Sequence, residues 1–494
     1  MSLRTRRRLQ AWAALPAILV GAVLIRVVAG VGFVNYDTLY ALAWGGQLAR
    51  GQKPAYEIAI APTPHPLLEL LGVVLYPLGP GTERTVVVAL AFLALSACGW
   101  VLYRLGSEWF GRAAGALAAV LFLTRVPVLS YGVRAYVDVP YLLLVLSALL
   151  VETRRPRAGE PVLALLALAG LLRPEAWAFS GLYWLYVLDL VPAPVRRWRA
   201  RADGSGGERA RSRGTFIRLT ALAAAAPFVW ILSDLLVTGD PVWSLTNTRH
   251  TASTLGRATG IANVPEYIPR RIGEILRPPV LLGAALGGVL SLLWLRQRAI
   301  VGIAAGLLAV VVFALFAAVG LPIDTRYAFL TAAILCLFCG AGVFGWLALA
   351  PGDPHRRTWM ASSAVVVLAL AAYVPAQYSS AHTELRTLAH QQSIEDDLLA
   401  LVASDAINLR CGPVGVPNHA PIPLLALYLR TTPANVLSAQ VGHIERGVYV
   451  DPASRAVEED YVLDLRDPHV PVSVPPGFTA VSSNRSWVIF RRCG

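Results

Sequence analysis

The chain has 494 residues, of which 56% are apolar and only 15% charged, too few charges to coat a soluble globule of this size. Its formal net charge of +13 is gathered in short connections between apolar runs: RTRRR at 4–8, RRPR at 154–157, the block from Arg196 to Arg213, RQR at 296–298 and HRR at 355–357. That distribution marks cytoplasmic loops and argues against a nucleic-acid surface, since no nucleic-acid-binding motif accompanies it.

Apolar runs of about 18 or more residues recur along most of the chain, each long enough to cross a hydrocarbon core of roughly 30 Å. In chain order, hydropathy predicts about eleven transmembrane helices, near 9–30, 84–104, 112–130, 138–152, 160–172, 176–191, 215–237, 279–295, 299–320, 327–349 and 359–378. The first contains Arg26 and is followed by no small-residue cleavage site, so it reads as a retained anchor. The piece 66–79 lies among Pro64, Pro66, Pro77 and Pro80 and is too short to span comfortably; it reads as a juxtamembrane or half-inserted helix.

With basic loops inside, the N-terminus is cytoplasmic, and 31–83, 131–137, 173–175, 238–278, 321–326 and everything after about 379 are outside. Residues 196–214 read as a cytoplasmic linker whose second part, ADGSGGERARSRG, is flexible in composition. The expected organisation is therefore a membrane domain over 1–379 and a small extracytoplasmic domain, α/β or mainly β, over 380–494. Cys336 and Cys339 have CxxC spacing but lie in an apolar run, where packing is the plain reading. Cys411 and Cys493 both fall in the exterior tail, where a disulfide would staple a small domain.

Several charged residues stand at predicted outer helix ends. Asp37 follows the first span, and YEIAIAPTPHPL at 56–67 brings Glu57 and His65 back toward the same surface. Arg134 and Asp138 lie in SYGVRAYVDVP, Arg173 and Glu175 in LLRPEAW, and Asp324 and Arg326 in LPIDTRY. Carboxylates beside arginines at a membrane boundary suit a hydroxyl acceptor that must lose a proton and a phosphate leaving group that needs fixed cations. Each also has a plain alternative: Asp37 and Asp138 as helix N-caps, His65 as an interfacial histidine, Arg173–Glu175 as an ion pair at a helix break, and Arg326–Tyr327 as an interfacial anchor. Glu57 and His65 are weak metal candidates, since no second histidine has ligand spacing to His65. Arg26 and Glu69 lie within apolar runs and fit neither pattern.

Taken in order, these stretches resemble the GT-C superfamily of polytopic glycosyltransferases, in particular the branch of protein O-mannosyltransferases and lipid A aminoarabinose transferases. In that branch an aspartate opens the first exterior loop, followed by a tyrosine, a surface helix and a proline-rich approach to the next helix. Here these are Asp37, Tyr40, LARG at 48–51 and PTPHPLLELL at 62–71. An Arg-x-x-x-Asp element matches Arg134 and Asp138, and a late Arg-Tyr matches Arg326 and Tyr327. The sequence departs from the pattern at Thr38, where the family usually has Glu, and at Pro64–His65–Pro66, where it usually has Lys-Pro-Pro.

The resemblance implies a GT-C-like fold and a multi-pass plasma-membrane enzyme of the cell envelope. It would transfer a hexosyl or pentosyl group, with inversion, from a polyprenyl-phosphate donor to a hydroxyl of a glycan, lipid or protein. Asp37 would be the general base. Arg134, Arg173, Arg326 or the Arg249–His250 pair would neutralise the lipid phosphate, and Asp138 would orient sugar or acceptor. The segment after Asp37 would lie along the membrane surface, and loop 238–278 would cover the donor. No cofactor is fixed, and a divalent metal is left open. The rival readings are a transporter or flippase, which would carry mid-span charges and internal repeats, and a non-catalytic membrane partner, which Thr38 keeps in play.

Overall fold

The structure, a computed structural model, describes residues 3–190, 213–442, 444–462 and 474–493. The helices that build the site are α1 (Leu3–Ala29), α2 (Tyr36–Ala49), α3 (Pro66–Leu75), α4 (Pro80–Trp109), α5 (Arg112–Leu123), α6 (Val126–Val133), α7 (Asp138–Arg154), α8 (Glu160–Gly170), α9 (Glu175–Val187), α10 (Arg213–Thr238), α11 (Trp243–Thr254), α12 (Val264–Trp294), α13 (Arg296–Ala318), α14 (Phe329–Phe344), α15 (His355–Ala403) and α16 (Ile422–Tyr428). Most of the linker predicted at 196–214 lies outside the described residues.

Outward-facing apolar side chains such as Val27, Leu236, Leu307 and Leu368 stand exposed on the bundle, which is tolerable where lipid covers them. Among the described residues, six helices are long and apolar enough to cross a membrane: α4, α10, α12, α13, α14 with the 3₁₀ turn before it, and α15. Pairing α5 with α6 makes a seventh.

The expected count of eleven is not met on length. Helices such as α7, α8 and α9 have 17, 11 and 13 residues, and at about 1.5 Å per residue they fall short of a roughly 30 Å core. The span expected at 112–130 is broken: α5 and α6 meet at 66°, where Pro127 opens α6 and the buried Arg125 turns back to Leu121 O and Leu276 O. The helix expected at 359–378 runs on to Ala403, so the boundary at 379 falls inside α15. Loop 238–278 is also largely helical, holding α11 and the first part of α12, whose helix is interrupted at Arg277 (φ 63°) just before Pro278.

The chain's last part forms a five-stranded sheet of β1 (Val414–Val416), β2 (Val436–Ser438), β3 (Gly447–Pro452), β4 (Thr479–Ser483) and β5 (Trp487–Arg492), in the order β2-β1-β3-β5-β4. β1 runs parallel to β2 and β3; β5 is antiparallel to β3 and β4. Cys411 and Cys493 are joined in a disulfide. This sheet shares one apolar cluster with α2: Leu39, Leu42 and Trp44 pack with Leu398, Val416, Leu424, Val448 and Trp487. The far end of α15 is tied to α4 by the Arg84–Glu395 pair at 2.8 Å.

α2, expected along the membrane surface, is covered by protein on both sides. Thr38 through Gln47 are all buried, because α3 covers one side and the sheet region another. The α2–α3 approach requires glycine. A Cβ on Gly45 would lie 2.5 Å from Glu69 O and 2.8 Å from Gly72 C, and one on Gly72 would lie 3.1 Å from Leu42 Cα. Gly45→Ala must therefore force the helices apart, at about 1–3 kcal/mol. Its thermal midpoint should fall, whereas Gly81→Ala, with nothing within 4 Å of the added carbon, should melt like the native protein.

Candidate active site

Asn35 sets the geometry at the start of α2. Its Oδ1 accepts the backbone N–H groups of Asp37 and Thr38 at 2.9 and 3.3 Å, while its amide nitrogen donates to Arg134 O and Ala135 O, both at 3.0 Å. Asn35 is thus the N-cap, and the Asp37 carboxylate is released from capping. Thr38, only 1% exposed, donates to Ala135 O at 2.8 Å. Position 38 therefore faces the protein and pins α2 to the turn before α7.

Asp37 lines a cavity of about 480 Å³, into which His65, Arg173, Arg257, Arg326 and Tyr327 also face. Arg326, in the 3₁₀ turn Thr325–Ala328 before α14, donates to Asp37 Oδ2 at 2.8 Å and lies 3.9 Å from Asp138 Oδ2. Asp138, at the start of α7 and 1% exposed, pairs in turn with Arg173. Arg173 Nε donates to Glu175 Oε1 at 3.2 Å, and its guanidinium lies 4.3 Å over the Tyr327 ring. Arg257 reaches Asp324 at 3.7 Å. Asp37, Arg326, Asp138, Arg173 and Glu175 thus alternate in sign, drawn from four separate elements. Each guanidinium is held in place by a carboxylate, which fixes its position before any anion arrives.

Burial works against the Asp37 carboxylate, but the Arg326 guanidinium outweighs it and holds the carboxyl below its ordinary value of 3.8. Burial pushes His65 down to about 4, leaving a neutral imidazole at neutral pH. The His65 ring stands edge-on to Trp230 at 6.1 Å, and Trp230 meets Trp177 at 5.6 Å, so indoles form one wall. Behind them Trp230 donates to Ser244 Oγ at 2.9 Å, and Ser244 donates through both its hydroxyl and its backbone N–H to Asp234.

The structure brings Asp37, His65, Arg173, Arg326 and Tyr327 to one cavity and places Asp138 directly behind its arginines. Tyr40 is fully buried beneath Tyr36, their rings 5.0 Å apart, and it is Tyr36 that lines the cavity. Arg134 is held away from it, between the rings of Tyr131 and Tyr136 at 5.2 and 5.0 Å and bonded to Ser130. Arg249 and His250 lie on the exposed side of α11, with Arg249 turned to Val319 O. Replacing either by alanine should change turnover by less than about twofold, as for surface positions; Arg257→Ala, one turn beyond α11, should cost far more.

Arg257, Tyr36 and Trp230 also line the cavity, and nothing in the sequence marks them. The Arg-His doublet stands in the same loop as Arg257 but outside the cavity lining, and neither aromatic residue carries a motif. Of the charges that fitted no pattern, Glu69 accepts the Tyr56 hydroxyl at 2.6 Å and Arg26 lies 6.0 Å over Phe92. Glu57 is exposed and does not face the cavity. Among the described residues, no three His, Cys, Asp or Glu side chains are grouped to hold a metal. Asp37 and His65 stand amid three guanidiniums, surroundings that do not suit a dication.

The helical bundle with its C-terminal sheet region shares its fold with a solved membrane protein, ArnT. The chain is similar to the crystal structure of ArnT from Cupriavidus metallidurans bound to undecaprenyl phosphate, with a TM-score of 0.56 and 14% identity over 97% of this chain and 98% of that one. The apo structure of the same protein aligns with a TM-score of 0.53 and 14% identity over 98% of each chain. No family model matches the sequence, and no curated protein matches it.

Proposed function

We propose that the protein is a membrane glycosyltransferase that moves a sugar from a polyprenyl phosphate to a hydroxyl acceptor, with inversion, on the outer face of the plasma membrane. The observation that carries this reading is the Asp37–Arg326 pair, which sets a carboxylate and a guanidinium 2.8 Å apart in a cavity shared by Arg173 and Arg257. An ArnT structure of the same fold holds undecaprenyl phosphate, which supports a lipid-phosphate donor here.

The donor phosphate sits against Arg326, Arg173 and Arg257, and the sugar lies toward the indole wall. The acceptor oxygen attacks the anomeric carbon from the face opposite the phosphate. As that bond forms, its proton passes to Asp37, and the bond from anomeric carbon to phosphate oxygen breaks with its electron pair going to the phosphate. The products are the glycoside and a polyprenyl phosphate. The extra negative charge on the phosphate develops against guanidiniums already in position, which is where electrostatic stabilisation acts most strongly. Asp37 is ionised at neutral pH and so is ready to accept the proton.

In this reading the N-terminus and the basic loops are cytoplasmic, α11 and its neighbours cover the donor, and the short helices complete the membrane domain. A transporter reading finds less support, because the ionised groups gather at one end of the bundle, where α7, α9 and α14 begin. Binding of undecaprenyl phosphate tests the reading. Native protein in detergent should bind it, and Arg257→Ala should weaken the affinity by about tenfold or more, the effect of one lost charge-assisted contact. Equal affinity in both proteins would remove the phosphate from this cavity.

A further inference from the structure

Arg257 and Arg326 reach the cavity from two separate segments, yet a short run of backbone bonds joins them. The N–H of Ile323 donates to Ala258 O at 2.9 Å, and the N–H of Gly260 donates to Ala317 O at 2.9 Å. The chain just after Arg257 is thus laced to the chain just before Arg326. Between the two arginines, Asp324 lies 3.7 Å from Arg257 Nη1 and 3.8 Å from Arg326 Nε.

This frame is fastened to the first part of α12. Arg271 Nε donates to Ile323 O at 3.1 Å, and Thr325 Oγ1 donates to Glu274 Oε2 at 3.0 Å. Arg271 Nη1 donates to both Glu274 oxygens, at 3.1 and 2.9 Å, which locks the two side chains together. They therefore grip the residues on either side of Asp324. Ile268, Ile275 and Leu276 of the same helix are buried in the main apolar core, so the grip has a rigid base. Neither Arg271 nor Glu274 lines the cavity. Their side chains are 24% and 32% exposed, and partly exposed pairs of this kind add little to stability. What they do hold is the turn that carries Arg326.

We propose that Arg271 and Glu274 are positioning residues for donor binding. They fix the chain at 323–325 so that Arg326, and through Ile323 and Asp324 also Arg257, meet one phosphate together. A guanidinium grips a phosphate through directed N–H bonds, so a tilted turn loses bonds even though every charge is still present. The proposal rests on the transferase reading and extends it to residues outside the cavity.

Undecaprenyl phosphate affinity and the thermal midpoint, both measured on the full chain in detergent, separate positioning from folding. Glu274→Ala should bind about tenfold more weakly, the loss of one charge-assisted bond to the phosphate, while its midpoint stays within about 2 °C of native. Glu274→Gln keeps an oxygen for Thr325 and should recover part of that loss. Thr325→Val should bind as weakly as Glu274→Ala, and Thr325→Ser, which keeps the hydroxyl, should bind like the native protein. Arg271→Lys keeps the charge but cannot reach Ile323 O and Glu274 with one fork, and should also bind about tenfold more weakly. Native affinity in any of Glu274→Ala, Thr325→Val or Arg271→Lys would overturn the proposal. So would a Thr325→Ser protein as weak as Thr325→Val, or a midpoint that falls along with affinity, since that marks a structural role. An Arg257→Ala protein that binds as tightly as the native one would overturn the reading beneath the proposal instead.

Discussion

Purified Asp37→Asn protein is expected to consume its donor about 10² times more slowly than the native protein, or slower still, the usual contribution of a positioned general base. Asparagine keeps an oxygen that accepts from Arg326, and the Asn35 cap and the Thr38 bond to Ala135 do not involve the Asp37 side chain. Undecaprenyl phosphate binding should therefore survive, and the loss should appear in kcat. The pH profile gives a second reading of the same group. Because the Asp37 carboxyl is held below its ordinary value of 3.8, the base is ionised throughout the neutral range and is lost only as pH falls through that lowered value. The native protein should show no acid limb from this residue between about pH 5 and 8. Native-like turnover in Asp37→Asn would move the base elsewhere. Asp138 is a poor substitute, buried behind Arg173.

Arg326 carries the second large effect. It faces Asp37 at 2.8 Å, Asp324 at 3.8 Å and Asp138 at 3.9 Å, and its side chain is 16% exposed. Arg326→Met would leave a cluster of carboxylates short of one cation, and breaking one side of a buried pair costs about 3–5 kcal/mol. The variant should melt well below the native protein and lose donor turnover altogether. Arg326→Lys isolates the chemistry from the fold. A lysine keeps the charge but cannot span Asp37 and a phosphate with one planar fork, so the midpoint should largely recover while turnover stays at least about tenfold down. If Arg326→Lys turned over like the native protein, the guanidinium geometry would have no part in the reaction.

The class of molecule and several of the cavity's charged residues are legible in the sequence because both rest on strong local signals. Apolar runs announce a membrane bundle, and charges at helix ends are too costly there to be incidental. Asp37, His65, Arg173, Arg326 and Tyr327 were found in that way. The errors came from what a linear reading cannot see. Nothing in the residues of α2 announces that α3 and the distant sheet cover it. Arg134 shares its spacing with Asp138, but two tyrosine rings capture its guanidinium. Tyr40 and Tyr36 differ by one helical turn, and only packing decides which of them meets the cavity. Asn35, two residues before Asp37, is the cap of α2. Arg257 and Trp230 have no motif; the fold alone brings them to the cavity that Asp37 lines.

The most direct test of the account is the configuration of the product formed from a panel of labelled polyprenyl-phosphate sugars, with purified protein and methanol supplied as a simple hydroxyl acceptor. A methyl glycoside cannot mutarotate, so its anomeric configuration records the chemistry. The account predicts that one donor is consumed, that polyprenyl phosphate is released, and that the methyl glycoside has the anomeric configuration opposite to the donor's. A glycoside of retained configuration, or a folded protein that consumes none of the donors, would contradict it.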